Sequence, residues 1–157
     1  MADQVTSGKL VVEVEVKANA DKFWEALRDF IFIFPKAFPN DYKSVEVLEG
    51  DGIVEGSVRL ITYGEGSPIV KVSKEKIEVV DPKNKTFAYN VIEGDLLKFY
   101  KRFKAHITVV PKEGEGSLVK WSCEFEKASA EIPDPSLIKE FAEKNFKELD
   151  EYLGKQA

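Results

Sequence analysis

Three glycines followed by a basic residue make one stretch of the chain look like a nucleotide-binding loop. Gly50, Gly52 and Gly56 lie close together, and Ser57-Val58-Arg59 follows them. A phosphate-binding loop needs Gly-Lys-Ser/Thr at the start of a helix, whose N–H groups hold the anion. Here the lysine is missing and a strand-like run follows. We therefore expect a hairpin in which the glycines supply positive φ angles.

The chain has one histidine and one cysteine, the side chains best suited to nucleophilic or metal chemistry. His106 and Cys123 lie on two predicted strands, at positions of opposite parity. Opposite parity places them on opposite faces of a sheet, which argues against a Cys–His dyad. Neither has a second His or Cys nearby to complete a metal site. We assign no catalytic residue, no metal and no cofactor.

The stretch Lys98–Lys104 mixes cations with aromatic rings, as single-stranded RNA-binding surfaces do. The net charge of −5 argues against general binding to nucleic acids or anionic membranes. An exposed basic strand face explains the stretch more simply. The longest apolar run, Phe30–Phe34, is far shorter than the roughly 20 residues of a membrane-spanning helix. With no signal sequence in the first nine residues, we expect a cytoplasmic protein without membrane insertion.

The length and composition indicate one folded domain over residues 1–157. Of the 157 residues, 43% are hydrophobic and 32% charged, which is ordinary for a globular protein and excludes a disordered chain. A single cysteine excludes an intrachain disulfide.

Alternating and β-branched runs predict about seven strands joined by short turns, and therefore an antiparallel sheet. The predicted strands are Leu10–Val16, Ser44–Leu48, Ser57–Tyr63, Ile69–Val80, Lys85–Ile92, Leu96–Val110 and Ser117–Phe125.

Helical spacing predicts a short helix after Asn19, which can cap it, and a long helix at the carboxyl end. Pro35 and Pro39 limit any second helix to a short one. The long helix runs from Asp134-Pro135 to Gly154 and carries an apolar stripe that must cover one face of the sheet. The fold class is therefore α+β. The stripe contains Leu137, Ile138, Phe141, Ala142, Phe146, Leu149, Tyr152 and Leu153.

Four stretches, together with the terminal helix, resemble the major latex protein branch of the Bet v 1-like family, which includes the class 10 pathogenesis-related proteins (PR-10) and has a START-like fold. The resemblance covers essentially the whole chain. The stretches are Phe34–Pro39 with Asp41-Tyr42, Glu49–Gly52 through Gly56–Arg59, Ile61–Pro68, and Val91–Asp95.

This resemblance implies a helix-grip fold, in which a seven-stranded curved antiparallel sheet wraps around the long helix and two short helices close one end. It also implies a large internal cavity for a hydrophobic small molecule. The family's register gives the following ligand-facing residues: Phe23, Arg59, Ile61, Tyr63, Val70, Val72, Phe87, Tyr89, Val91, Phe99, Phe103, Ala105, Trp121, Cys123, Leu137, Phe141, Ala142 and Asn145. It keeps Gly50, Gly52 and Gly56 as a structural loop.

Among these residues, Arg59, Tyr63 and Tyr89 would supply polar tips to a largely apolar lining. Two alternatives remain for Arg59: a pair with Glu75 or another side chain, which we favour, or a pair with a ligand carboxylate. Lys101 also has inward parity, which indicates either a side chain reaching the rim or a bulge. In the predicted strand Ser57–Tyr63, a one-residue slip in register would exchange Arg59 for its neighbours Val58 and Leu60.

The resemblance implies a carrier or reservoir for an apolar or amphiphilic plant metabolite, such as a lipid, sterol, flavonoid or hormone-like compound, linked to defence and stress. One alternative is an enzyme that converts such a metabolite in the same cavity. The other is a protein-interaction module that uses the loop Gly64–Pro68 at the cavity mouth. We expect a monomer, or at most a weak dimer.

Overall fold

A computed structural model describes residues 7–51, 53–65, 71–114 and 116–155. Its elements, in chain order, are β1 (Ser7–Val16), α1 (Ala20–Arg28), α2 (Phe30–Ala37), β2 (Tyr42–Glu49), β3 (Val58–Tyr63), β4 (Val72–Asp81), β5 (Thr86–Gly94), a 3₁₀ turn (Asp95–Lys98), β6 (Tyr100–Pro111), β7 (Ser117–Lys127) and α3 (Ser136–Lys155).

The seven strands form one antiparallel sheet in the order β1-β7-β6-β5-β4-β3-β2. Neighbours in the sheet are neighbours in the chain, except that β1 pairs with β7. This agrees with the short turns read from the sequence, and the predicted α+β helix-grip fold is confirmed.

The three helices lie against the concave face. Asn19 caps α1 as predicted, because its side chain accepts a hydrogen bond from Lys22 N at 2.8 Å. The carboxyl half of α3 buries Phe146, Leu149 and Leu153, and the helix packs chiefly on β1. The side chains in the amino half of α3 are more exposed to solvent. Leu137 is 51% exposed, so its predicted place on the ligand-facing side is wrong, whereas the next residue, Ile138, does turn towards the interior.

The predicted inward face of β4 is also wrong. Val72 is 37% exposed, whereas Ser73, Glu75 and Ile77 are buried on the concave side. The register explains this inversion, because Glu75 lies directly opposite Arg59 on β3. The inward face of β4 thus carries Glu75 beside the fully buried Ile77, while Lys74 and Lys76 lie on the other face. Val70, the other predicted residue of this strand, lies outside the described residues.

The prediction of one strand over Leu96–Val110 is wrong at its start. A 3₁₀ turn intervenes, and the pairing of β6 with β7 shifts between Tyr100 and Arg102. The extra residue is Lys101, which confirms the bulge reading of that lysine. The bulge reverses the parity, so Tyr100 is buried at 2% exposure while Phe99 is 38% exposed. The predicted inward position of Phe99 is therefore wrong.

The glycine-rich loop joins β2 to β3, not a strand to a helix. Gly50 and Gly56 have φ angles of +73° and +88°, a region that favours glycine, as the hairpin interpretation required. A side chain at Gly50 would also meet Ser57 Oγ at 2.5 Å. Gly52 lies outside the described residues.

Candidate functional site

The space between the concave face and the helices contains two adjoining chambers of about 70 Å³ each. Six residues line both: Tyr42, Tyr63, Glu75, Tyr89, Trp121 and Ala142. What we call the Arg59 chamber adds Leu27, Phe30, Phe34, Arg59, Ile61, Phe87, Ile107, Asn145 and Phe146. What we call the Phe141 chamber adds Ser73, Val91, Leu96, Phe103, Ile138 and Phe141.

The large cavity implied by the resemblance is not seen in this conformation. Pockets for drug-sized ligands usually measure about 300–1,000 Å³. Here the chain's own rings occupy much of the space. Tyr42, Tyr63 and Phe141 pack on one another with ring centroids 5.4–6.1 Å apart.

Arg59 is the only cation that lines either chamber in the part of the chain that the structure describes. It is 2% exposed, and its Nη2 lies 3.1 Å from Glu75 Oε1. Its guanidinium lies over the rings of Phe30 and Phe87, 4.7 and 5.4 Å from their centroids. Its Nε and Nη1 have no hydrogen-bond partner among the described residues. The favoured pair with Glu75 is thus present, and it leaves part of the guanidinium free.

Glu75 supplies the matching negative charge. Burial raises the pKa of its carboxyl group, while the charge and hydrogen bond of Arg59 oppose that shift. Ser73 Oγ lies 3.5 Å from Glu75 Oε2. Together Arg59 and Glu75 place one compensated ion pair in a lining whose other residues, apart from Ser73 and Asn145, are aromatic or aliphatic.

The three tyrosines of the lining keep their protons at neutral pH. Burial is the main cause that raises the pKa of Tyr42, Tyr63 and Tyr89 above its ordinary value. Tyr42 donates its proton to a hydrogen bond with Asn145 on α3. The chambers therefore combine apolar walls with neutral hydroxyl groups.

Most residues predicted to face a ligand do line the chambers. These are Arg59, Ile61, Tyr63, Phe87, Tyr89, Val91, Phe103, Trp121, Phe141, Ala142 and Asn145. Phe23, Ala105 and Cys123 are fully buried but line neither chamber.

Sequence reasoning missed several wall residues, namely Phe30, Phe34 and Tyr42, and it named Glu75 only as a partner of Arg59. One signal was available: Phe30 and Phe34 are one helical turn apart, so both rings lie on one face of α2. No pattern placed Tyr42, because it is the first residue of β2 and is positioned by the end of α2.

His106 and Cys123 lie on opposite faces, as predicted. Cys123 pairs with Ala105 across β6 and β7, whereas His106 pairs with Ser122. His106 Nε2 is 3.4 Å from Glu124 Oε2 on the outer face. Burial raises the pKa of the Cys123 thiol to about 12, so it is a poor nucleophile. Within the described ranges, no group of three His, Cys, Asp or Glu could hold a metal ion.

A larger depression of about 810 Å³ lies outside the sheet, between the end of β1 and the carboxyl end of α3. Charged side chains such as Lys17, Lys22 and Lys147 line it. Asp150 in its wall accepts hydrogen bonds from the backbone N–H groups of Lys17 and Ala18. An open, charged groove with this structural role does not suit an apolar ligand, so the two inner chambers are the candidate site.

Residues 5–156 match the pathogenesis-related protein Bet v 1 family. This chain belongs to that family. MLP-like protein 423 of Arabidopsis thaliana is 65% identical to it over 150 residues, 96% of each chain. The structure resembles that of ginseng major latex-like protein 151 from Panax ginseng, with a TM-score of 0.85, 25% identity, and 94% and 97% of the two chains covered.

A more distant structural relative is norcoclaurine synthase from Thalictrum flavum. Its TM-score is 0.67 at 26% identity, with 79% of this chain and 72% of that one covered. Proteins of the Bet v 1 family generally bind hydrophobic ligands. Among the described residues, no helix is both long and apolar enough to cross a membrane.

Proposed function

We propose that this protein binds an apolar or amphiphilic plant metabolite, of the lipid, sterol, flavonoid or hormone-like class, between its sheet and α3. It acts as a cytoplasmic carrier or reservoir linked to defence and stress responses. The observation that supports this most is the lining itself, in which aromatic walls surround one compensated ion pair and three neutral hydroxyl groups.

A metabolite of this class, which we call the guest, needs a larger cavity than two chambers of about 70 Å³ provide. The amino half of α3 is the element best placed to move and enlarge the cavity, because its residues Ile138, Phe141 and Ala142 are only partly buried. Movement of these side chains would join the chambers by displacing the ring of Phe141 from Tyr42 and Tyr63. Binding then gains from ring and aliphatic burial, at about 25 cal/mol per Å² before ordering costs.

The test is a titration with N-phenyl-1-naphthylamine, an uncharged dye that fluoresces in apolar surroundings, followed by displacement with a lipid, a sterol and a flavonoid. Ala142→Phe places a ring where both chambers meet and should abolish uptake. Ala130→Phe adds the same ring at an exposed position and should leave uptake unchanged. Absence of dye binding by the unaltered protein would contradict the proposal.

A second candidate function is conversion of such a metabolite in the same space. Glu75 favours it, since this carboxyl group lines both chambers and its pKa is raised by burial, as suits a proton-transferring group. Glu75→Gln should then abolish turnover of a component of plant extract while dye binding persists. The interaction-module alternative centres on Gly64–Pro68, most of which lies outside the described residues.

A further inference from the structure

The free N–H groups of Arg59 point to a specific feature of the guest. A buried guanidinium normally has its donors satisfied, because an unpaired buried donor is costly. Arg59 is 2% exposed and lines its chamber, yet Nε and Nη1 have no partner among the described residues. The rings of Phe30 and Phe87 cover the guanidinium, so an acceptor reaches these groups in the guanidinium plane.

The surrounding charges determine which acceptor fits. Glu75 already neutralises Arg59 at 3.1 Å, and the lining tyrosines are uncharged. The other buried carboxylate among the described residues, Asp41, is paired with Lys144 at 3.4 Å. An added carboxylate would therefore leave one uncompensated negative charge in a buried site, at a large energetic penalty. A ketone, ester or phenol oxygen can accept the same hydrogen bonds without that penalty.

We infer that the Arg59 chamber selects guests that carry an uncharged oxygen acceptor on an aromatic or aliphatic body, in preference to both carboxylates and pure hydrocarbons. This inference rests on the proposed function, since it concerns the chemistry of the guest that binds in the same two chambers. Glu75 is the residue that sets the preference, because it removes the net positive charge that would otherwise attract an acid.

Three probes of equal heavy-atom count and similar shape test the inference: acetophenone, α-methylstyrene and benzoate. Each is titrated at pH 7.5 against protein labelled with ¹⁵N, and the Nε–H signals of the arginines are recorded. The chain has three arginines, Arg28, Arg59 and Arg102, and Arg59→Lys identifies the relevant signal by its loss. Acetophenone should bind about tenfold more tightly than either other probe, and it should shift the Arg59 signal.

Variants on β4 test the role of charge. Glu75→Gln leaves Arg59 uncompensated, and benzoate should then bind more tightly than acetophenone. Glu78→Gln makes the same chemical change on the outer face, where Glu78 pairs with Lys104, and the order of the probes should not change. The double variant Arg59→Met/Glu75→Met removes both charges together. It should bind α-methylstyrene and acetophenone with equal affinity.

Several results would overturn the inference. Benzoate binding to the unaltered protein as tightly as acetophenone would do so, and so would an unchanged preference for acetophenone in the double variant. If none of the three probes binds while the naphthylamine dye does, the inference fails and the proposed function stands. If the dye also fails to bind, both are wrong.

Discussion

The hydroxyl group of Tyr42 donates a hydrogen bond to Oδ1 of Asn145, which joins the first residue of β2 to the middle of α3. Both side chains are buried. Asn145 Nδ2 in turn donates to Asp41 Oδ2 at 3.2 Å, and Lys144 Nζ lies 3.4 Å from the same carboxylate. The Asn145 amide is therefore engaged in holding α3 to the sheet, although it also lines the Arg59 chamber.

Replacing Asn145 with leucine should destabilise the protein by about 2 kcal/mol, because it leaves the buried Tyr42 hydroxyl unpaired and removes one partner of Asp41. Urea denaturation followed by circular dichroism measures this change. Lys147→Ala, an exposed position on the same helix, should change the free energy of unfolding by less than about 0.5 kcal/mol. Equal effects of the two substitutions would show that the hydrogen bonds of Asn145 contribute nothing specific to the free energy of unfolding.

Arg59→Met should destabilise the protein by about 3 kcal/mol at pH 7, since it leaves the buried Glu75 carboxylate unpaired. Without Arg59, only the hydrogen bond from Ser73 opposes burial in raising the pKa of Glu75. A raised folded pKa means that the folded state binds the proton more tightly than the unfolded state does. The stability lost by Arg59→Met should therefore shrink as pH falls towards 4.5, the ordinary value. Thermal or urea unfolding at several pH values measures it.

The double variant Arg59→Met/Glu75→Met is the control for that prediction. It removes both charges and should recover most of the lost stability. If it proves as unstable as Arg59→Met, the loss comes from packing and not from an unpaired charge.

The sheet and the long helix could be predicted from local patterns, whereas the inward face of β4 was misplaced by the family's register. The family's register placed Val72 inward, but the structure turns Glu75 and Ile77 inward, and Glu75 pairs there with Arg59. That pairing depends on the register between two strands, which the pattern of either strand alone does not contain. The bulge at Lys101 had a visible cue, namely a charge at an inward position.

Asp95→Asn should destabilise the protein at pH 7 but not in acid. The Asp95 carboxylate accepts hydrogen bonds from the backbone N–H groups of Lys71 and Val72, and these lower its pKa below the ordinary 3.8. A lowered folded pKa gives stability that is fully present above 3.8 and is lost as pH falls through the folded value. Unfolding curves of both proteins should therefore converge in strong acid. A difference that does not depend on pH would contradict this account.

Cys123 should react with a water-soluble disulfide reagent at least about a hundredfold more slowly in the folded protein than in guanidinium chloride. The thiol is fully buried and its pKa is raised to about 12, so little thiolate exists or reaches solvent. Absorbance of the released thiolate measures the rate. Complete labelling of the folded protein within minutes would mean that the interior opens far more often than its packing indicates.

The walls of the site were only partly visible in the sequence. Ring residues on strands, such as Phe87 and Trp121, followed from alternation combined with the family's register. Tyr42 did not, because its position depends on how α2 ends and on Asn145, which is 103 residues further along the chain. The size of the hollow was also out of reach, since it depends on how completely rings from separate elements interlock.

The most direct test of the central claim is to locate a bound guest by NMR. Trp121 lines both chambers, whereas Trp24 belongs to a separate cluster with Ile77 and Phe87. We predict that titration with a flavonoid such as naringenin shifts the indole N–H signal of Trp121 more than that of Trp24, and that Ala142→Phe prevents the shift. An unmoved Trp121 signal at saturating flavonoid, or movement confined to surface residues, would contradict binding between the sheet and α3.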